Sequence, residues 1–198
     1  MPVTHTNRKG VTYYLRRTVT KTGKPRYVFA REPKGELVEQ IPEGWRISES
    51  VNGIVSLVRD RPAQILPQEL AAVEAAVGRH PKSHNYRVAV KRNRIEVYER
   101  VGPDADDVLN IFTKIGLGDP GMRHRIEGLR ADMDRRAQFT PALRFILADA
   151  EQRTFYTKRW CYLGSIDDWI HVGSRGPLDR LARQWIPRLG TDALFEVL

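Results

Sequence analysis

Two basic stretches contain the residues whose chemistry is easiest to interpret. Residues 1–31 hold eight lysines and arginines and no acidic residue, and residues 79–95 hold six and none. In the rest of the chain the acidic residues outnumber the basic ones. Positive charge without neighbouring carboxylates attracts phosphate backbones, although it recognises no base by itself. The two stretches therefore predict a nucleic-acid interface.

The first stretch has the pattern of a β-hairpin. Apolar and polar residues alternate over Val11–Val19 and Arg26–Arg31, and the turn Thr20–Lys24 contains a glycine that can adopt a positive φ. The predicted apolar face carries Val11, Tyr13, Leu15, Tyr27 and Phe29. The opposite face and the turn carry Tyr14, Arg16, Arg26, Lys21 and Lys24, which we expect to contact phosphates or stack on bases. The alternative is that these cations only protect a strand edge from aggregation.

The second stretch predicts another hairpin, with strands over Tyr86–Val90 and Ile95–Tyr98. Its basic turn extends the candidate interface, although a charged hairpin tip is also common without any ligand. The complete set of candidate nucleic-acid-binding residues is Arg8, Lys9, Tyr14, Arg16, Lys21, Lys24, Arg26, Lys91, Arg92 and Arg94.

Histidines and aspartates offer weaker candidates for a metal site. His80 and His84 have the spacing of ligands on a helix, but Pro81 between them disfavours helical geometry and predicts a loop. The run of Asp104, Asp106 and Asp107 lacks the glycine and distal glutamate of a calcium loop, and it is typical of a solvated linker. We predict no metal site and no cofactor.

A third carboxylate group suggests hydrolysis. Asp167 and Asp168 lie among apolar residues and could hold Mg²⁺ together with Asp149 or Glu151. Aspartates of this kind more often form turns or caps, and we expect that role here.

Two further segments have an ordinary structural interpretation. Cys161 lies in the apolar run Trp160–Leu163, which predicts a buried thiol rather than a nucleophile paired with His171. The segment Gly173–Gly176 precedes a predicted helix, where backbone N–H groups favour anions, but we expect it to be a loop.

Composition limits the class of protein. The chain has 198 residues, a formal net charge of +9 and 41% hydrophobic residues, which suits a folded globular protein. A single cysteine excludes an internal disulfide and any multi-cysteine zinc site. No apolar run approaches the roughly 18 residues of a membrane span, and the N-terminus lacks an apolar signal-peptide core. We therefore expect a cytoplasmic protein without a membrane partner.

Interleaved strand and helix patterns predict an α+β fold. An N-terminal antiparallel meander with a helix precedes a mixed strand and helix portion. We expect a basic β-rich module at 1–64 and an α+β portion at 65–198, with an internal break near 102–107. Besides the two hairpins, the predicted elements are strands over Leu37–Ile41, Trp45–Ser50, Ile54–Val58, Leu143–Ala148, Thr154–Leu163 and Asp167–Ile170, an apolar stretch over Val108–Ile115, a glycine-rich turn over Gly116–Gly121, and helices over Gln68–Arg79, Arg123–Ala137 and the residues after Pro177.

The favoured function is non-enzymatic binding of DNA or RNA through the N-terminal hairpin. One alternative is an accessory subunit that binds a protein partner through its C-terminal portion, where Trp160, Trp169 and Trp185 lie. The other is a metal-dependent nuclease or toxin-like RNase that uses His171 or the Asp167–Asp168 pair.

Overall fold

The computed structural model describes residues 1–114, 123–163 and 166–196. Within these ranges the protein is an α+β fold with eleven strands in three antiparallel sheets and four α-helices. In chain order the elements are β1 Thr4–Thr6, β2 Thr12–Val19, β3 Pro25–Ala30, β4 Glu36–Leu37, β5 Trp45–Glu49, β6 Val55–Arg59, α1 Pro67–Gly78, β7 Tyr86–Lys91, β8 Arg94–Arg100, α2 Ala105–Lys114, α3 Arg123–Arg136, β9 Phe139–Asp149, β10 Thr154–Leu163, β11 Ile166–Pro177 and α4 Leu178–Trp185. None of the helices in the described ranges is long and apolar enough to cross a membrane.

The chain folds into two compact units, and each consists of two separate segments. The first unit comprises Met1–Arg61 and Ala105–Ala137, and the second comprises Pro62–Asp104 and Gln138–Leu198. The predicted organisation into 1–64 and 65–198 stays a prediction. The predicted glycine-rich turn at Gly116–Gly121 lies outside the described residues.

In the first unit, β2 is the central strand of a four-stranded sheet. β3 pairs along one edge, while β1 and β4 share the other edge. The register sets Leu15 opposite Phe29, and Leu15 is fully buried, whereas the other residues of the predicted apolar face are only half-buried. Gly23 has a φ of 76° in the turn between β2 and β3, as its position predicts.

A second hairpin in this unit joins β5 to β6 through Asn52 and Gly53. Gly53 adopts a φ of 77°, which explains why glycine stands at this turn position. The side chain of Asn7 reaches this turn and donates from Nδ2 to the carbonyl of Gly53 at 2.6 Å. The turn between β1 and β2, where Asn7 lies, is thus tied to the β5–β6 hairpin by a residue that is itself buried.

The second unit is a five-stranded antiparallel sheet in the order β11-β10-β9-β8-β7, with α1 and α4 against one face. The core lies between that face and the helices and includes Val73, Val97, Leu143, Phe145, Phe155, Leu181 and Trp185. Burying each large apolar side chain contributes about 1.5–3 kcal/mol, so this layer is the main source of stability in the unit. The side chains of the other sheet face alternate with the core residues along every strand.

One predicted strand is shorter than expected, and one predicted loop lies within a strand. A strand was expected over Leu37–Ile41, but β4 contains only Glu36 and Leu37, because β1 occupies the rest of the same β2 edge. The expected loop at Gly173–Gly176 is part of β11, where Gly176 lies opposite Phe155 and the register with β10 shifts between Gly176 and Val172. Gly173 has a φ of 68° at this irregularity, which lets the long strand continue.

The aspartate run near residue 104 is not the solvated linker that its composition suggested. Asp104 is only 1% exposed, and α2 begins at the next residue. His84 Nε2 lies 3.1 Å from Asp104 Oδ2, and Asn85 Nδ2 donates to the same oxygen at 2.7 Å. This buried carboxylate is thus satisfied by hydrogen bonds from a residue pair twenty positions earlier.

Candidate nucleic-acid interface

The hairpin of β2 and β3 places three of the predicted residues on one face. Arg16 lies opposite Val28 and Thr18 opposite Arg26, so Tyr14, Arg16 and Arg26 project from the side opposite Leu15. Lys21 and Lys24 are exposed in the turn that follows β2. These five residues, four of them basic, are hereafter called the hairpin surface, and they extend from mid-strand to the tip.

The cations of the hairpin surface have no acidic partner in the described part of the chain. No ion pair in the described residues involves Arg16, Arg26 or the two turn lysines. By contrast, Arg17 lies on the other face, where its Nη1 is 3.3 Å from Glu36 Oε1. The Nε of Arg16 is buried without a hydrogen-bond partner. The guanidinium and ammonium donors of this surface therefore form no ion pairs within the described residues.

Arg8 and Lys9 occupy a different place from the rest of the predicted set. They lie in the turn between β1 and β2, at the end of β2 opposite to the lysine-containing turn. The backbone N–H of Arg8 donates to Glu49 Oε1 at 2.9 Å, and His5 Nε2 lies 2.9 Å from Oε2. Burial raises the pKa of Glu49, but these hydrogen bonds and the nearby cations outweigh burial and lower its pKa overall. This end of the sheet is a tethering point for β5.

A groove along the edge of β3 adds residues that the sequence did not single out. It has a volume of about 650 Å³ and is lined by Pro25–Phe29 of β3, by Val55–Leu57 and Arg59 of β6, and by Trp45. Successive residues of a strand point to opposite faces, and residues of both faces line the groove. The groove therefore runs along the edges of β3 and β6. Arg26 shares it with Arg59, whose guanidinium carbon lies 4.3 Å from the Trp45 ring centroid. A cationic groove with an aromatic wall suits both phosphate and base or sugar contacts.

The groove depends on strands that are distant in sequence and do not pair, so no local pattern predicts it. The only signal in the sequence was an aromatic residue at the start of β5 and an arginine at the end of β6. Because residues of both strands line the groove, it forms only when β3 and β6 lie side by side in the fold.

The second predicted basic hairpin lies in the second unit. Lys91 and Arg92 are exposed in its turn, but Arg94 Nε donates to Glu96 Oε1 at 2.8 Å. The carbonyl of Arg92 accepts from Gln64 N at 2.7 Å, which holds the turn in place. Arg94 is therefore partly neutralised, whereas the two turn residues keep their charge.

Glu96 is the centre of a buried polar cluster on the sheet face away from the helices. It is 1% exposed and accepts hydrogen bonds from Arg94 Nε at 2.8 Å, Arg144 Nε at 2.6 Å and the Tyr98 hydroxyl at 2.5 Å. Burial raises the pKa of Glu96, but these donors and the charges of the two arginines lower its pKa overall. Burial and the adjacent carboxylate raise the pKa of Tyr98, so both groups keep their ordinary charge at neutral pH.

No protein-family model, curated protein or solved structure matches this chain. The functional inference therefore depends on the chemistry and positions of its own residues.

The carboxylates that the nuclease alternative would use do not form one site. Asp149 lies opposite Thr154 at one end of β10, whereas Asp167 lies opposite Tyr162 at the other end. Their partners on β10 are eight positions apart, which is roughly 26 Å along a strand, so the two aspartates cannot hold one metal ion together. The oxygen Oδ1 of Asp149 instead accepts from the backbone N–H of Glu151 at 2.8 Å.

The alternative to a buried thiol, a pairing of Cys161 with His171, is prevented by the sheet. Cys161 is 1% exposed, as its apolar context predicts. His171 lies opposite Lys158, and strand alternation places it on the face away from Cys161. A nucleophile and base must lie within hydrogen-bond reach, so this pair cannot act together in this arrangement.

The three C-terminal tryptophans lie in two environments. Trp185 is fully buried in the core beneath the sheet. Trp160 and Trp169 lie opposite each other on the other sheet face, with ring centroids 5.1 Å apart. Only this second pair is available to a partner.

Proposed function

We propose that the protein binds nucleic acid through the hairpin surface, as a binding protein rather than an enzyme. The supporting observation is that four cations project from one face and tip of a hairpin without an acidic partner in the described residues. Phosphates are the ligands that such unpaired guanidinium and ammonium groups favour.

The adjoining groove supports the same proposal. Arg26 belongs to both the hairpin surface and the groove, where Arg59 and Trp45 lie. A backbone that follows the hairpin face would meet this groove at the edge of β3. The hairpin surface would supply the phosphate contacts, and the groove would supply an aromatic wall. Binders of low sequence specificity commonly combine these two kinds of contact.

The test replaces Arg16, Lys21, Lys24 and Arg26 together by glutamine. None of the four is fully buried, so the fold should survive with small changes in stability. For duplex DNA, the slope of log affinity against log salt concentration should fall by about 3–4 units, or roughly 0.9 for each lost phosphate contact. Fluorescence anisotropy titrations at several salt concentrations measure this slope.

A matched control removes the same charge elsewhere. Lys34, Arg79, Lys114 and Arg183 are all exposed and lie outside the hairpin surface. Glutamine at these four positions should leave the slope nearly unchanged. If the hairpin variant is folded and keeps its affinity, the proposed surface is rejected, and precipitation of that variant would indicate protection of the strand edge instead.

A further inference from the structure

The sheet face opposite α1 and α4 in the second unit has a composition unlike a solvated face. Strand alternation and register place Glu96, Arg144, Lys158 and His171 side by side in one row across four strands. Tyr156 lies on one side of this row, and Trp160 and Trp169 lie on the other. We call these residues the outer sheet face, and both α-helices of this unit pack on the other side of the sheet.

The aromatic rings of the outer sheet face are held in fixed positions by their neighbours. Tyr156 and His171 are stacked with centroids 5.3 Å apart and an interplanar angle of 25°. Trp160 meets Trp169 edge to face, and the guanidinium carbon of Arg144 lies 3.7 Å from the Trp169 ring centroid. His171 is exposed and the other rings are partly exposed, so a planar ligand can reach them. Such an arrangement is preorganised for stacking.

Charge on this face favours an anionic ligand. Glu96 is buried and already holds Arg94 and Arg144, so its carboxylate is neutralised within the sheet. Lys158 forms no ion pair in the described part of the chain. Asp167 is the exposed acid on the same face, at its far end beside Tyr162. The centre of the face therefore combines net positive charge with rings on both sides.

We propose that the outer sheet face binds single-stranded nucleic acid. Bases stack on the Tyr156–His171 pair and on Trp160, and the phosphates between them contact Lys158 and Arg144. A duplex does not fit, because its bases are stacked on each other and a five-stranded face is too broad for either groove. This goes beyond the proposed function, since it assigns a second surface with a different ligand preference to a different unit.

The test compares three oligonucleotides of about 15 residues with the full chain: oligothymidylate, oligouridylate and an abasic strand with the same phosphates. Substituting Tyr156→Ser together with His171→Ser should weaken binding of at least one base-containing strand roughly tenfold and leave the abasic strand unaffected. Comparing thymidylate with uridylate shows whether DNA or RNA is preferred. Circular dichroism checks that the variant is folded.

A second variant keeps the proposal testable if the first fails to fold. Lys158→Glu should weaken binding of all three strands, whereas Arg183→Glu, the same charge change on α4, should not. The proposal is overturned if wild-type protein binds neither base-containing strand, or if Lys158→Glu and a folded serine double variant bind them as wild type does. It is equally overturned if an oligoglutamate displaces the strands as well as oligothymidylate does, because that would indicate an acidic protein partner.

The two proposals fail separately. Loss of single-strand binding in the outer-face variants, with duplex binding intact, supports this inference whatever the hairpin does. If the glutamine variant of the hairpin surface abolishes binding to every strand and the outer-face variants change nothing, the hairpin proposal stands and this one falls.

Discussion

At the scale of single residues, Asn7 makes more interactions than its place in a short turn suggests. Its side chain is 5% exposed, donates to the Gly53 carbonyl, and accepts from the backbone N–H groups of Lys9 at 3.0 Å and Val11 at 2.9 Å. One amide thus satisfies groups in two separate turns. Loss of a buried partner costs about 1–3 kcal/mol because the remaining groups stay desolvated.

We therefore expect Asn7→Ala to lower the free energy of unfolding by roughly 2 kcal/mol, measured by urea denaturation. Thr6→Ala, next to it on the exposed side, should change this free energy by less than about 0.5 kcal/mol. Gly53→Ala should also be destabilising, because φ is 77° there and its Cβ would lie 3.1 Å from Asn7 Nδ2. An Asn7→Ala protein as stable as wild type would show that the hydrogen bonds of Asn7 contribute little to stability.

At the scale of elements, Glu96 joins neighbouring strands by charge. Arg94 belongs to β8 and Arg144 to β9, and both donate to the same carboxylate oxygen. Because the pKa of Glu96 is lowered in the folded state, its ionised form stabilises the fold above the unfolded pKa of about 4.3. This contribution is lost as the pH falls through the folded pKa.

Glu96→Gln should therefore cost roughly 2–3 kcal/mol of unfolding free energy near pH 7, since two guanidinium groups lose a charged partner. The difference between wild type and variant should shrink as the pH is lowered below about 4. Urea denaturation at both pH values measures it, and Glu151→Gln, at an exposed turn residue, serves as the control. A difference that stays constant with pH would mean that Glu96 contributes through packing rather than through its charge.

At the scale of the whole molecule, the chain leaves the second unit after Asp104 and returns at Gln138. The first part supplies α1, β7 and β8, while β9, β10, β11 and α4 come from the second part. Most of the large core side chains of this unit, including Phe145, Phe155 and Trp185, therefore follow the return.

A chain that ends at Ala137 should accordingly fail to form the second unit. We expect backbone amides of β7 and β8 to lose hydrogen-exchange protection, because β8 loses its β9 partner and α1 loses α4. Amides of β2 and β3 provide the internal control, since their strand partners all precede residue 38. Unchanged protection in β7 and β8 would show that the two strands and α1 fold without the C-terminal segment.

The sequence alone determined what depends on local alternation and turn chemistry. The α+β class, the two basic hairpins and the face shared by Tyr14, Arg16 and Arg26 all follow from a period of two residues and from glycines with positive φ. The tertiary structure alone decided which distant strands became neighbours. It created the groove between β3 and β6, joined Glu96 to Arg144 and buried Asp104, because such contacts depend on the packing of whole elements rather than on any one segment.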